Sequence, residues 1–392
     1  MQKLQPKLRF PEFEGDWKLD IIQNLFEFKN GINKEKEFFG KGLPIINFMD
    51  VYKNSIITKS NIAGLVELNS SELERFKVKK GDVFFTRTSE TILDIGMASS
   101  LIEDINNCVF SGFVLRARPI KNVFNPIFTG YLFRTKSIRK EITTKSSMTT
   151  RALTSGTLLN KVEFYWPENL KEQTKIASFL TTVDEKINGL KKQLTLLERY
   201  KKGVMQKIFS QKLRFKDENG NDFPDWEEKK LGECLDYEQP TPYLVNSTDY
   251  DDSFQTPVLT AGKTFILGYT DEEFGIYKNY PVIIFDDFTT ASQFVNFSFK
   301  AKSSAMKILK VKDSNDIKFL FEAMQMITYE TGGHGRHWIS VFAQIDILIP
   351  TLSEQQKIAS FLSAIDEKLE NCQGQIKALE KWKKGLLQQM FC

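Results

Sequence analysis

A segment of 38 residues occurs twice in this chain, at 172–209 and again at 354–391. Aligned without a gap, 19 of the 38 positions are identical, and most of the others exchange similar side chains. Each copy follows a different block of comparable length. The order of block, segment, block and segment predicts an internally pseudo-symmetric protein whose target itself has two halves.

Both copies have the apolar period of a coiled-coil helix. Apolar side chains recur at alternating steps of four and three residues, which defines a narrower seam than the stripe of an ordinary surface helix. Each copy starts shortly after a proline, Pro167 or Pro350, and contains none. We predict that the helices pair antiparallel, as a spacer roughly 57 Å long. The predicted pairing residues are Ile176, Leu180, Val183, Ile187, Leu190, Leu194, Leu197, Ile358, Leu362, Ile365, Leu369, Ile376 and Leu379.

One matched position, Lys201 and Lys383, interrupts each seam. A lysine there lowers stability but fixes register, and we expect each amine to reach out of the seam along its aliphatic stem. The acidic-basic clusters that begin at Asp184 and Asp366 predict an ion-paired flank beside the seam. The alternative to helix pairing is that each helix buries its apolar face in its own neighbouring block.

Composition indicates a globular protein that can bury at least two cores, since 41% of residues are apolar and 12% aromatic. The chain opens without an apolar signal region, and no apolar run approaches the roughly 20 residues that a membrane span needs. The four cysteines, Cys108, Cys234, Cys372 and Cys392, lack metal-binding spacing and are predicted to be reduced thiols. These features predict a cytoplasmic protein.

The two blocks look like diverged copies of one design. Each opens with Lys-Leu-Arg-Phe, at Lys7–Phe10 and Lys212–Phe215, and a tryptophan follows, Trp17 or Trp226. Short runs rich in β-branched and aromatic residues lie between turn residues. Helical pattern inside the blocks is limited to stretches such as 127–141 and 316–330.

The predicted fold class is therefore α/β (α+β). Two mixed α/β domains with curved antiparallel sheets are joined by a long antiparallel two-helix coiled coil, and each domain ends in the strand that leads into a helix. The predicted domains are 1–165 and 212–349, and the predicted helical segments are 166–211 and 350–392.

Charge is distributed unevenly around a net value of +4. The first block is basic and the block at 212–349 is acidic. A protein that binds nucleic acid needs a basic face rather than a basic total, and the alternative reading of such a cluster is a solvated helix face. The residues predicted to form this face are Arg134, Lys136, Arg139, Lys140, Lys145 and Arg151.

Several fragments resemble catalytic motifs but lack an essential residue. Ala261–Thr264 resembles the end of a phosphate-binding loop, yet Pro257 occupies the position that requires glycine. Asn125–Phe128 resembles the Asn-Pro-Pro-aromatic motif of amino-methyltransferases but lacks the second proline. His334 and His337 have no cysteine or carboxylate nearby. The sequence therefore predicts no catalytic residue and no metal site.

Four features together resemble the specificity subunit of type I restriction-modification systems. They are the Glu-Gln-x-Lys-Ile-Ala-x-Phe-Leu start of each repeat, its Lys-Lys-Gly ending, the Lys-Leu-Arg-Phe entry and the segment Gly81–Ser89. The resemblance covers essentially the whole chain. It implies two target-recognition domains that each read one half of a split DNA site, while the paired helices set the spacing and dock two methyltransferase subunits.

The same resemblance implies that restriction (translocase-nuclease) subunits then join the complex. This chain would be non-catalytic and hold no cofactor. S-adenosylmethionine, ATP and Mg²⁺ would be used by the partners, which methylate adenine or cleave DNA. Two other hypotheses remain at this point: an enzyme in its own right, and a coiled-coil scaffold that binds no nucleic acid.

Polar and basic loops supply the predicted DNA contacts, because donors and acceptors on such loops can read base edges. In the first block they are Arg87, Thr88, Ser89, Lys145, Ser147, Thr149 and Arg151. In the block at 212–349 they are Lys263, Thr289, Thr290, Ser292, Gln293, His334, Arg336, His337 and Trp338.

Overall fold

The computed structural model describes residues 4–260, 264–312, 314–329 and 337–392. The chain divides into two compact units. Unit 1 comprises residues 1–190 and 375–392, and unit 2 comprises residues 191–374. Each unit thus contains one block together with part of each repeated helix. The predicted four-segment boundaries remain a prediction, since these units divide each long helix.

The block of unit 1 alternates short strands and helices. They are β1 (Lys18–Ile21), α1 (Ile22–Leu25), β2 (Phe26–Asn30), β3 (Phe39–Ile46), α2 (Phe48–Lys53), β4 (Ile56–Ile57), β5 (Leu65–Val66), α3 (Ser70–Phe76), β6 (Val83–Thr86), β7 (Thr88–Ser89), β8 (Ala98–Leu101), β9 (Val109–Phe110), β10 (Val114–Pro119), α4 (Pro126–Leu132), α5 (Lys136–Lys145), β11 (Ser147–Met148), β12 (Ala152–Leu153), α6 (Gly156–Leu159) and β13 (Glu163–Trp166).

A five-stranded sheet with the order β2-β10-β6-β8-β4 organises this block. Its neighbours are antiparallel except for β4 and β8, which are parallel. Smaller sheets have the orders β5-β3-β9, β11-β12-β7 and β1-β13. Because β13 pairs with β1, the last strand of the block returns to its first strand before the long helix begins.

The repeated segments form the helices α7 (Leu170–Phe209) and α10 (Leu352–Gln389). Between them, unit 2 contains β14 (Glu227–Lys230), α8 (Leu231–Cys234), β15 (Leu235–Glu238), β16 (Thr256–Leu259), β17 (Ile266–Thr270), β18 (Val282–Asp286), β19 (Ser292–Val295), β20 (Lys300–Ala301), β21 (Met306–Val311), α9 (Ile317–Met324) and β22 (Asp346–Ile349).

The central sheet of unit 2 is antiparallel and has the order β15-β21-β18-β19. A second sheet has the order β17-β16-β20, and β14 pairs with β22 as β1 does with β13. Both blocks therefore end in a strand that leads directly into a long helix. This confirms the predicted fold class of two mixed α/β domains.

Each unit has a core to which both long helices contribute. In unit 1, Leu180 from the start of α7 and Leu386 from the end of α10 belong to one cluster with Phe128 and Phe164 of the block. In unit 2, the reverse combination of the end of α7 and the start of α10 packs together with α9. The helices thus pair antiparallel as predicted, and their ends also pack on the blocks.

Two helical stretches differ from the sequence prediction. The stretch 127–141 is split into α4 and α5, because Thr135 has an extended backbone and its hydroxyl donates to the carbonyl of Leu132. Of the described residues 316–329 of the second stretch, only those of α9 are helical, and the Asp316 carboxylate caps the start of α9 by accepting from the N–H of Phe319 at 2.9 Å. Among the helices of the described residues, none has the length and apolar character of a membrane span.

Candidate nucleic-acid interface

Most of the predicted contact residues of the first block lie on one small sheet, β11-β12-β7, and its connecting turn, which together we call the recognition ribbon (Thr88–Ser89 and 147–153). Leu153 on the central strand β12 lies opposite Thr88 on one side and Ser147 on the other. Ala152 lies opposite Ser89. Ser147 is exposed and Thr88 is half-buried. Strand pairing therefore brings together hydroxyl groups from two distant parts of the block.

Arg87 lies between β6 and the ribbon and is half-buried. Its backbone N–H donates to the carbonyl of Phe113, and its guanidinium Nη1 donates to the carbonyl of Gly112, both at 3.2 Å. A guanidinium carries five N–H donors in a fixed fork. The contact with Gly112 uses one of them and orients the group, which borders an open cleft with Phe28 and Ser155.

Lys145 and Arg151 flank the ribbon as surface ion pairs. Lys145 pairs with Glu141, and Arg151 pairs with Glu90 at 3.1 Å. The side chains of the second pair are 64% and 76% exposed, and exposed pairs contribute only about 0–1 kcal/mol. A phosphate could therefore replace either carboxylate at little cost. Thr149 is exposed at the tip of the ribbon, where its N–H donates to the Arg151 carbonyl at 3.2 Å.

Two arginines of the predicted basic face have structural roles instead. Arg134 donates to four backbone carbonyl oxygens at 2.5–2.9 Å, and Arg139 donates to two at 2.7 Å. Burial lowers the pKa of each guanidinium to about 10. The prediction was wrong for these two residues, because their side chains satisfy loop carbonyls. Lys136 and Lys140 are exposed.

In unit 2 the predicted contacts follow β18 in a tight turn. The Asp286 carboxylate accepts from the N–H groups of Phe288 and Thr289 and from the Thr289 hydroxyl. Thr290 has a φ of +61°, a conformation that costs a β-branched residue about 1–3 kcal/mol. Thr289 is exposed at this strained turn, where its side chain is accessible to a ligand.

The first residues of β19 continue this surface. Gln293 is exposed, and the Ser292 hydroxyl accepts from the side chain of Gln325 at 2.8 Å. Three further predicted contacts, Lys263, His334 and Arg336, lie outside the described residues.

His337 and Trp338 are buried, with 6% and 2% exposure. The Trp338 ring packs edge-on against Phe285 at 5.3 Å. The Asp287 carboxylate accepts from the backbone N–H groups of both residues at 3.0 and 2.9 Å, and Lys307 lies 3.6 Å from the same carboxylate. The predicted DNA contacts of these two side chains were wrong, since the core of unit 2 covers them.

The predicted pairing residues of the two long helices differ in burial along each helix. The buried ones are Ile176, Leu180, Val183, Ile187, Leu190, Ile358, Leu362, Ile365 and Ile376. Leu194, Leu197, Leu369 and Leu379 are half-buried.

The seam lysines are ion-paired with the opposite copy of the repeat. In unit 1 the Lys383 ammonium lies 2.5 Å from Asp184, which also accepts from the Tyr131 hydroxyl at 2.7 Å. In unit 2 Lys201 lies 2.7 Å from Asp366. The expectation that the amines simply reach out of the seam was wrong, whereas the predicted ion pairing of the aspartates is confirmed.

Unit 2 adds two charges to this arrangement. Lys318 lies 2.8 Å from both Asp366 and Glu322, and Glu322 lies 2.9 Å from Lys201. Burial opposes the charge of Lys318, but its two carboxylate partners raise its pKa above the usual value. Burial likewise acts to raise the pKa of Asp366, but hydrogen bonds from the two lysines hold it below the usual value.

A further set of contacts, which we call the latch, fixes each block to a long helix. In unit 1 the buried Glu172 carboxylate accepts from Arg9 Nε at 2.7 Å, Arg9 Nη2 at 2.8 Å and Trp17 Nε1 at 3.1 Å. The adjacent Gln173 donates to the carbonyl of Pro167 and accepts from the N–H of Asn125, both at 2.8 Å. The hydrogen bond with Glu172 raises the pKa of Arg9.

Unit 2 repeats the latch residue for residue. Glu354 accepts from Arg214 Nη2 at 2.7 Å and Trp226 Nε1 at 3.1 Å. Gln355 donates to the carbonyl of Pro350 at 2.9 Å and accepts from the N–H of Asp316 at 2.8 Å.

These roles were not predicted from the sequence, although a signal was present. The Glu-Gln pair opens both repeats, and the arginine and tryptophan recur at the start of both blocks. When both partners of a contact recur in the two halves of a chain, the repetition indicates that the same contact forms in each half.

Within the described residues no group of three or more His, Cys, Asp or Glu side chains could hold a metal ion. None of the four cysteines, all of which lie in the described residues, forms a disulfide. Burial raises the pKa of Cys108 to about 12 and that of Cys392 to about 11, so both thiols are protonated at neutral pH.

Comparison with known proteins relates the whole chain to one family. The family described as "Type I restriction modification DNA specificity domain" matches residues 14–199 and 224–381. The type I restriction enzyme EcoR124I/EcoR124II specificity subunit of Escherichia coli is 50% identical over 141 residues, which is 34% of this chain and 35% of that protein. The chain thus spans about a third of the length of that relative.

Other similarities extend over nearly the full length. The putative type I restriction enzyme MjaX specificity subunit of Methanocaldococcus jannaschii is 24% identical over 415 residues, covering 97% of this chain and 94% of the relative. The crystal structure of the type I restriction-modification S subunit from M. genitalium has a TM-score of 0.66 at 16% identity and covers 99% of both chains. At this identity the likeness concerns the fold.

Proposed function

The chain belongs to the family of type I restriction-modification DNA specificity domains, and we propose that it is the DNA-binding specificity subunit of such a system. Each block acts as a target-recognition domain and reads one half of a bipartite DNA site. The two long helices set the distance between the half-sites and dock two methyltransferase subunits. Restriction subunits with translocase and nuclease activity join this assembly.

The observation that carries the proposal is the repetition of the latch. The same four side-chain types hold each block to a long helix, while the exposed surfaces of the blocks differ. Unit 1 presents a ribbon with Ser147 and Arg151, and unit 2 presents a strained turn with Thr289. Both blocks are thus attached to a long helix in the same way, but they expose different polar surfaces. This combination suits a protein that reads two different DNA sequences at a fixed distance from each other.

We assign catalysis to the partners rather than to this chain. S-adenosylmethionine supplies the methyl group that a methyltransferase subunit transfers to adenine, and ATP and Mg²⁺ serve the restriction subunits. The chain itself contributes DNA recognition, and we place its action in the cytoplasm, where cellular DNA is accessible. Arg87, Thr88, Ser89, Ser147 and Thr149 are the proposed contacts of the first domain.

Exchange of one domain tests the proposal. Residues 1–165 would be replaced by the corresponding block of a relative that retains the latch arginine and tryptophan. Methylated positions would be mapped by long-read sequencing of DNA from cells that express the hybrid with its methyltransferase subunits. We expect one half-site to change and the other to persist. A change in both half-sites, or an active complex that methylates without sequence preference, would contradict the proposal.

A further inference from the structure

Leu153 is an exposed apolar side chain at the centre of an otherwise polar row on the recognition ribbon. It is 42% exposed on the middle strand β12. Its direct neighbours across the two strand pairs are Thr88 and Ser147. Directly opposite residues in a sheet share a face, with Cβ atoms about 4.5–5.5 Å apart. The row therefore presents one apolar group between two hydroxyls.

The dimensions of this row suit the major groove of DNA. Three neighbouring side chains at this spacing span about 10 Å, and the groove is about 12 Å wide and admits a two-stranded β-ribbon. β11 and β12 form such a pair of strands, with Thr149 and Arg151 at the turn between them, and β7 adds Thr88 to the row as a third strand. Arg87, Lys145 and Arg151 lie near the row, and the Arg151–Glu90 pair is exposed on the surface, so DNA phosphates can attract Arg151.

Base chemistry then limits what Leu153 can contact. The thymine C5-methyl is the largest apolar group on base edges in the major groove, where most other edge positions are hydrogen-bond donors or acceptors. An apolar side chain facing a donor or acceptor would leave that group without a partner. Serine and threonine hydroxyls can either donate or accept, so Thr88 and Ser147 can bond to the edges beside the methyl.

We propose that Leu153 packs against the methyl group of a thymine in the first half-site, and that Thr88 and Ser147 bond to the neighbouring base edges. The inference rests on the proposed function and specifies it further: the half-site read by unit 1 contains an A·T pair that is recognised through its methyl group. Leu153 is thus a specificity-determining residue.

The test uses the full chain in complex with its methyltransferase subunits. After the methylated site has been mapped, each thymine of the first half-site would be replaced, one at a time, by deoxyuridine, which lacks only the methyl group. Dissociation constants would be measured by gel shift at fixed salt. For the wild-type complex we expect one substitution to weaken binding about fourfold, the effect of losing one buried methyl-sized group.

The variant Leu153→Ala should bind the thymine and deoxyuridine duplexes equally well. Met148→Ala is the matched control, because Met148 lies on the same ribbon, is 51% exposed and occupies the opposite face. It should keep the fourfold difference.

The outcomes separate this inference from the function on which it rests. A complex that binds no specific DNA would overturn the proposed function. Specific binding with a first half-site that lacks thymine, or with a deoxyuridine effect that persists in Leu153→Ala, would overturn the role of Leu153 alone.

Discussion

Both units have a lysine on the helix seam at matched positions, but the side chains that surround its ion pair differ between them. In both, a seam lysine from one repeat pairs with an aspartate from the other repeat. In unit 1 the block contributes a neutral partner, since the Tyr131 hydroxyl donates to Asp184. Burial raises the pKa of Tyr131, so it remains a neutral donor at physiological pH.

In unit 2 the block contributes charge. Lys318 and Glu322 join Lys201 and Asp366, and Glu322 has no exposed surface. Buried ions cost several kcal/mol each unless their partners compensate, so this network depends on all four members. The lysine and the aspartate of the repeat are therefore the same in both units. The blocks differ in the residues that they add, which are Tyr131 in unit 1 and Lys318 and Glu322 in unit 2. The following predictions test this difference, beginning with what the two units share.

Loss of the latch should be the largest effect and should be equal in both units. Glu172→Ala and Glu354→Ala each remove the buried carboxylate that accepts from an arginine and an indole N–H, which we expect to cost about 3 kcal/mol of local unfolding free energy. Hydrogen exchange would measure the loss in each unit. The control Glu168→Ala removes an exposed pair with Lys18 and should change stability by less than about 1 kcal/mol.

Glu322→Gln should affect unit 2 next most strongly. The amide keeps the shape but removes the charge that faces two lysines, and we expect a loss of about 2 kcal/mol. Denaturant unfolding monitored by hydrogen exchange in α9 would detect it. An unchanged stability would mean that Asp366 alone balances Lys201 and Lys318, and that unit 2 does not differ in principle from unit 1.

Tyr131→Phe, the corresponding change in unit 1, should cost less. It removes one hydrogen bond to Asp184 and leaves the Lys383 pair in place, so about 1 kcal/mol is expected. The same exchange measurement, read at α4, provides the comparison. A loss as large as that of Glu322→Gln would contradict the distinction between a neutral and a charged partner.

The smallest expected effect is the part of the pH dependence of unit 2 that arises at Asp366. The folded pKa of Asp366 lies below its usual value of about 3.9. Its contribution to stability is therefore fully present above the unfolded pKa and is lost as the pH falls through the folded pKa. Asp366→Asn should reduce the decline in unfolding free energy below about pH 4. Asp225→Asn, at an exposed carboxylate, should leave that decline unchanged.

Much of the architecture followed from the sequence because it depends on periodicity. The step of four and three residues predicted the long helices, and the repeat predicted that each would meet the other copy. The recognition ribbon was only partly predictable. Loop composition selected Thr88 and Ser147, but no local pattern shows that β12 aligns Leu153 between them, since strand register is set by three-dimensional pairing.

The errors share one physical cause: side-chain type does not reveal burial. Arg134 and Arg139 were predicted as surface cations, yet carbonyl groups of neighbouring loops surround them. Trp338 was predicted as a DNA contact but is buried in the core of unit 2. Lys201 and Lys383 could be identified as seam positions, whereas their partners on the opposite helix required knowledge of the antiparallel register.

The latch has a consequence for how such a chain can change over generations. Because both helices offer the same glutamate and glutamine, a block that begins with the matching arginine and tryptophan fits either position without further adjustment. A whole block can therefore be exchanged without any change in the repeats, which are identical at 19 of 38 positions. Such an exchange would bring in a new exposed surface together with the residues that attach it, so under the proposed function the DNA sequence that is read could change in one step while both repeats stay intact.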